Sequence, residues 1–303
     1  MRTLTYIAQP QDEGRLIRRI VRGGIGLSHR QFSRAKYANC ILLDGVPAHA
    51  DQAVRAGQTV SVLLEDAGSG SAPAEEEPVS VVYEDEDLLV IDKDAPLPCQ
   101  NSSRQSGSTL EKRLSARYGE AFVFRPVNRL DKGTSGLMLA AKNAHAQMLC
   151  ARELHADMVR EYLAVVEGTP EPACGVIDAP IGKADGTTIR REVRCDGKPA
   201  KTHYRVLESG RRALVRLRLE TGRTHQIRVH LASIGHPVTG DFLYGSEIAE
   251  LPGRFALHSA HLAFVHPMRG IPLEFDSPLP AALAALYRPS PEAQTAEPED
   301  PVR

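Results

Sequence analysis

Apolar residues follow two spacings along this chain, and the switches between them mark out its elements. Leu16, Ile17, Ile20 and Val21 have helical spacing, and Ser28 to Gln31 is a capping-box pattern opening a second helix through Phe32 and Ala35. Residues 41–43, an Asp44-Gly45 turn and Val46 predict a tight hairpin, with residues 60–64 as the closing strand. Residues 79–93 read as two strands around an acidic turn, residues 137–141 as a buried strand and residues 144–159 as a helix. Further strands are expected at 161–168, 204–207, 213–220 and 255–264, and residues 225–230 also have a strand-like pattern. Within 213–220, the alternation sets Leu214, Arg216, Arg218 and Glu220 on a polar face and Val215, Leu217 and Leu219 on a buried one. Residues 182–199 read as a long polar hairpin or loop rich in Lys and Arg. No repeated βαβ spacing appears. The expected fold class is therefore α+β, a largely antiparallel mixed sheet preceded by a smaller α+β module.

Boundaries fall where the apolar pattern lapses. Residues 66–78, poor in apolar side chains and rich in Gly, Ser, Pro and Glu, read as a flexible acidic linker. The tail at 289–303 has the composition of a disordered segment. The domains expected are thus 14–65 and 79–288.

A net charge of -1 hides a segregation along the chain. Between residues 14 and 65, eight basic side chains face three acidic ones, about +5, whereas residues 66–87 hold eight acids and no base, about -8. Arg15, Arg18, Arg19, Arg30, Arg34 and Lys36 of the basic segment are candidate RNA-backbone contacts; a solvated basic face is the other reading.

With 303 residues, 42% hydrophobic and 25% charged, the chain has enough length for one large core plus a small module. No apolar run reaches bilayer-spanning length, and Met1 to Tyr6 contains no apolar signal region. Five scattered cysteines without a Cys-x-x-Cys pair fit reduced thiols in a cytoplasmic protein. His225, His230, His236, His258 and His261 lack metal-ligand spacing, and the Gly133 to Gly136 turn lacks the P-loop order, so neither a metal nor a nucleotide cofactor is expected.

One acid stands out by its setting. Asp131 lies in a turn-rich segment between two apolar runs, with Val127 and Leu130 before it and Gly133 and Gly136 after it. Taken alone, such an aspartate is most often a turn or cap residue.

The segment resembles the signature of the RluA-type pseudouridine synthases in its Arg129-Leu130-Asp131 core and its Thr134 to Leu137 continuation, with Asn128 where that signature has histidine. Residues 221–245 are similar to the family's long C-terminal signature almost throughout, and Lys93 to Pro96 departs from its Lys-Pro pattern. The resemblance covers most of residues 15–285, and residues 27–58 resemble an S4-type RNA-binding domain.

The resemblance implies an RNA pseudouridine synthase needing no metal, nucleotide or redox carrier. Asp131 would act as nucleophile toward the nucleoside or as base on a ribose proton. Arg228 would be its ionic partner: burial raises a carboxyl pKa by up to ~3–5 units and a close arginine lowers it by ~1–3. Tyr162 would stack on the target uracil, although a core tyrosine is an equal reading of that strand. Arg129 would fill the gap left by the extruded base or contact a phosphate, and Ile227 would form an apolar pocket wall. Large-subunit ribosomal RNA is the expected substrate of a monomer. Transfer RNA, or a noncatalytic RNA-binding or ribosome-assembly protein that kept the fold, are the alternatives.

Overall fold

The computed structural model describes residues 2–64, 77–101, 107–119, 121–153, 158–186 and 189–287. The linker expected at 66–78, apart from residues 77 and 78, and the tail at 289–303 lie outside these residues. The chain forms two compact units, Met1–Gly68 with Asn143–Met148, and Ser69–Lys142 with Leu149–Arg303.

In the first unit, β1 (Arg2–Ile7) pairs antiparallel with β4 (Thr59–Leu64). The sheet continues through β2 (Ile41–Leu43) to β3 (Val46–Pro47). Asp44 and Gly45 both have positive φ, the backbone that a two-residue hairpin turn requires. α1 (Ile17–Arg19) runs into a π-helical turn at Ile20–Gly24 and buries Ile17, Ile20 and Val21. α2 (His29–Tyr37) starts at the expected capping box: Ser28 Oγ accepts from Gln31 N, and Gln31 Oε1 accepts from Ser28 N at 3.0 Å. β1 lies ahead of the boundary read at residue 14, so the unit begins earlier. Its alternation, with Leu4 inward and Thr3 and Thr5 exposed, spans too few residues to stand out in the sequence.

The second unit is built on a ten-stranded sheet among the described residues. Its main path runs β10 (Cys174–Asp178), β13 (Lys201–Glu208), β14 (Arg212–Leu219), β9 (Val159–Glu167), β15 (Leu257–Val265), β8 (Ser135–Ala141), β6 (Leu88–Lys93), β5 (Ser80–Glu84). β16 (Pro272–Asp276) pairs with β15, and β7 (Arg125–Pro126) with β8. Every strand pairing in it is antiparallel except that of β8 with β15. The expected α+β class with a largely antiparallel sheet is borne out.

That one parallel contact depends on Gly136, which has φ +104 and no room for a side chain: a Cβ there would collide with the Ser259 carbonyl. Every residue of β8 is buried, as a central strand requires. α3 (Leu110–Tyr118) adds Leu110 and Leu114 to a core that includes Leu89, Ile91 and Met138. β11 (Ile181–Lys183) and β12 (Arg191–Val193) form the polar hairpin, and α6 (Ala281–Ala284) seats Leu283 in the core.

Three sequence readings are corrected. α4 (Ala144–Glu153) is shorter than the helix read to 159, since Val159 already opens β9. Leu214 is buried in the core cluster, not on a polar face: the face it shares with Arg216 and Arg218 is covered at its end of β14 and exposed at theirs. Residues 226–230 are helical, with His225 as the cap: α5 (Gln226–Ser233) buries Gln226 through Leu231 without a break. A helix covered on all sides has no amphipathic stripe, and its Ile227 and Val229 mimic strand alternation.

Candidate active site

The loop from β7 to β8 displays Asp131 because both of its ends are fastened. Val127 N donates to the Leu139 carbonyl at 2.8 Å, and Asn128 Oδ1 accepts from Leu139 N at 2.7 Å, so the asparagine in the histidine position ties the loop to β8. Beyond the aspartate, Thr134 N donates to the Asp131 carbonyl at 3.1 Å, and Leu97 N to the Lys132 carbonyl at 2.9 Å. Gly133 lies so close to the Phe255 ring that a Cβ would stand 2.6 Å from it. The Asp131 side chain is 28% exposed. It is reachable from solvent yet held from behind.

What holds it is Arg228, whose side chain is 3% exposed on α5. Nη1 donates to Asp131 Oδ2 at 3.0 Å, while Nε and Nη2 donate to Asp241 at 2.6 and 2.8 Å. The guanidinium also lies over Phe255 at 4.2 Å and Tyr244 at 4.9 Å from the ring centroids. Burial alone would depress the Arg228 pKa, but Asp241 and then Asp131 outweigh it and raise it above its ordinary value. Asp241 is fully buried and also accepts from Leu243 N and Tyr244 N, so its oxygens are committed to structure. Asp131 Oδ1, in contrast, makes no hydrogen bond among the described residues.

Lys93 ends β6 with its side chain buried, Nζ donating to the Asp94 and Leu97 carbonyls at 2.7 and 2.8 Å. Burial brings its pKa down to about 8, against the raising influence of Cys99, Asp131 and Asp94. The segment that departs from the Lys-Pro pattern thus wraps around its own ammonium group.

Of the other expected site residues, Tyr162 and Ile227 are buried in one core cluster with Leu130. The Tyr162 hydroxyl is hydrogen-bonded to Ser259, and burial raises its pKa. Arg129 is exposed on the Asp131 loop. In the N-terminal unit Arg15 and Arg18 are exposed but ion-paired, to Asp12 at 2.7 Å and Asp51 at 2.6 Å. Arg19, Arg30, Arg34 and Lys36 are exposed and make no ion pair among the described residues, and Tyr37 beside them is 83% exposed.

The histidines do not converge. His230 bonds Thr202 and the Ala179 carbonyl, His236 the Glu167 carbonyl, His258 Ser135 and the Ser277 carbonyl, and His261 Asp276. Among the described residues two groups have spacing that could hold a metal ion, Asp85 with Asp87 and His266, and His261 with Glu274 and Asp276. They stand at the β5–β6 turn and on the β15–β16 ladder, not on the Asp131 loop. Sequence reasoning assigned no role to Asp241, Tyr244, Phe255 or Lys93. Asp241 and Tyr244 did lie within the second signature block, which was the available signal.

The profile of the RNA pseudouridylate synthase family matches residues 87–233, which contain Asp131, Tyr162 and Arg228. The chain is 40% identical over 278 residues to the ribosomal large subunit pseudouridine synthase D of Nitrosomonas europaea, covering 85% of this chain and 80% of that one. It is 39% identical over 279 residues to the protein of the same name from Xanthomonas campestris pv. campestris, covering 84% of each. Among solved structures, human RNA pseudouridylate synthase domain containing 1 superposes with a TM-score of 0.57 at 29% identity, over 70% of this chain and 90% of that one. With such identity across at least four-fifths of these relatives, the chain belongs to the RNA pseudouridylate synthase family.

Proposed function

We propose that the chain isomerises uridine to pseudouridine in large-subunit ribosomal RNA, with Asp131 as its catalytic carboxylate. The Asp131 to Arg228 contact at 3.0 Å carries this reading. The reaction breaks the bond from ribose C1′ to uracil N1 and forms one from C1′ to C5; the hydrogen leaves C5 and N1 gains one, so no electrons are exchanged with a carrier. Asp131 acts through Oδ1, either by adding to the nucleoside or by taking a ribose proton, while Arg228 keeps Oδ2 paired and the carboxylate oriented. Extruding the base costs a few kcal/mol and one aromatic face returns ~1–3. Tyr162 is the ring assigned to that stacking, Ile227 the apolar wall, and Arg129 the exposed group that meets the gap or a phosphate.

The basic N-terminal unit, read as an S4-like RNA-binding domain, supplies backbone contacts through Arg19, Arg30, Arg34 and Lys36, with Arg15 and Arg18 at its edge. The names of the relatives support ribosomal RNA as substrate. Acting on that RNA, the chain works in the cytoplasm, as a monomer. Among the described residues no helix is long and apolar enough to cross a membrane. Pseudouridine mapping of total RNA from cells with and without this chain tests the proposal. A position in large-subunit RNA that loses its modification with the chain is expected; an unchanged map overturns the activity, and a change confined to transfer RNA overturns the substrate.

A further inference from the structure

His225 opens α5 with φ +58, a left-handed backbone that a residue bearing a Cβ adopts only when its surroundings dictate it. Its ring bridges two groups. Nδ1 lies 2.7 Å from the Tyr244 hydroxyl, and Nε2 lies 4.0 Å from Asp131 Oδ2, the same oxygen that Arg228 contacts. The Tyr244 oxygen already accepts the Arg191 N–H from β12 at 2.9 Å. With one lone pair taken by that N–H, the phenol has a proton to give, and Nδ1 at 2.7 Å is the acceptor assigned to it. A neutral imidazole that accepts at Nδ1 carries its proton on Nε2, the nitrogen facing Asp131.

We propose that His225 is a positioning residue for Asp131: Tyr244 fixes its tautomer, and the Nε2–H dipole is aimed at Oδ2 beside the Arg228 hydrogen bond, so that Oδ1 stays turned toward the nucleoside. The role rests on the reading of Asp131 as the catalytic carboxylate. At 4.0 Å the contact is electrostatic, not a hydrogen bond. The groups facing His225 are Asp131 on the β7–β8 loop, Arg228 on α5, Asp241 and Tyr244 after α5, and Arg191 on β12. Burial is the largest influence and lowers the His225 pKa, with Arg228 and Arg191 adding to it against the two carboxylates. The neutral ring is therefore the working form near pH 7, and acidification removes it.

The test uses the full chain with an RNA substrate and two readouts. Long-range proton–nitrogen NMR of histidine-labelled protein is expected to show His225 protonated at Nε2 in the wild type and a mixture of tautomers in Tyr244→Phe. In turnover assays, His225→Ala is expected to lower kcat about 10- to 100-fold with KM nearly unchanged. His225→Gln, which restores an N–H donor, is expected to recover part of that activity, and the acid limb of the wild-type pH profile to vanish in both. An Nδ1-protonated ring in the wild type, or an unaltered kcat in His225→Ala, overturns the proposal. A wild type that forms no pseudouridine overturns the catalytic reading instead, and the NMR result still decides the tautomer.

Discussion

Arg228 contacts Asp131 with one arm of its guanidinium and Asp241 with the other two, at 3.0 Å against 2.6 and 2.8 Å. The charge beside the candidate carboxylate is thus set in place by a second, buried carboxylate. A lysine ammonium is a point charge without the rigid planar fork that holds both carboxylates in this geometry. Arg228→Lys is expected to lower kcat by roughly 100-fold or more while the purified protein still binds RNA. Asp241→Ala leaves a buried guanidinium short of its main partner, and removing one member of a buried pair costs about 3–5 kcal/mol. Thermal unfolding of Asp241→Ala is expected at a clearly lower temperature, with activity falling in parallel.

Burial brings the Lys93 ammonium, which also feels the charge of Asp131, to a pKa of about 8, so its charge disappears in the range where most lysines keep theirs. Below about pH 8 it is protonated and bonded to the Asp94 and Leu97 carbonyls; above, that support for the site weakens. Turnover is expected to decline as pH rises through about 8. A pH profile of Lys93→Met checks this: lower activity throughout and no alkaline limb near 8.

Asp85 secures the β5–β6 turn. Burial would raise its pKa, but N–H donation from Asp87 and Leu88 and bonds from Tyr83 and His266 hold it at about 2, against 3.8 for a free aspartate. A depressed carboxyl pKa stabilises the fold above the unfolded value, and that contribution disappears as pH falls through the folded one. The change is expected between about pH 4 and 2 and amounts to about 2 kcal/mol. Denaturant unfolding of the wild type and Asp85→Asn across that range should converge at the acid end.

Exposure without an ion pair among the described residues distinguishes Arg19, Arg30, Arg34 and Lys36 from Arg15 and Arg18, whose charges are partly answered by Asp12 and Asp51. On a single strand, each phosphate that a basic side chain neutralises adds about 0.7 to the steepness of log affinity against log salt. Replacing those four by Gln is expected to weaken RNA binding and flatten the salt dependence by up to roughly 3. Replacing Arg15 and Arg18 should do less, and salt titrations of both variants measure the difference.

Much of this is legible in the sequence alone. The Asp131 loop announced itself through Gly133 and Gly136, and both are required where they stand, one against Phe255 and the other against β15. The capping box at Ser28 and the Asp44-Gly45 turn are local chemistry and formed as read. What stayed hidden was tertiary. α5 is buried all round and offers no helical stripe, Phe255 reaches Arg228 from 27 positions later in the chain, and nothing in the composition marks Lys93 as a buried lysine. Arg228 as the partner of Asp131 was visible only through family resemblance, since 97 positions separate them.

Asp131→Asn tests the central claim most directly, because it keeps the side-chain shape while removing the negative charge that faces Arg228 and the oxygen left to react. Single-turnover formation of pseudouridine in a ribosomal RNA fragment, measured beside binding of the same fragment, is expected to fall below detection with affinity changed less than about threefold. Turnover at the wild-type rate in a folded Asp131→Asn protein would contradict a catalytic aspartate.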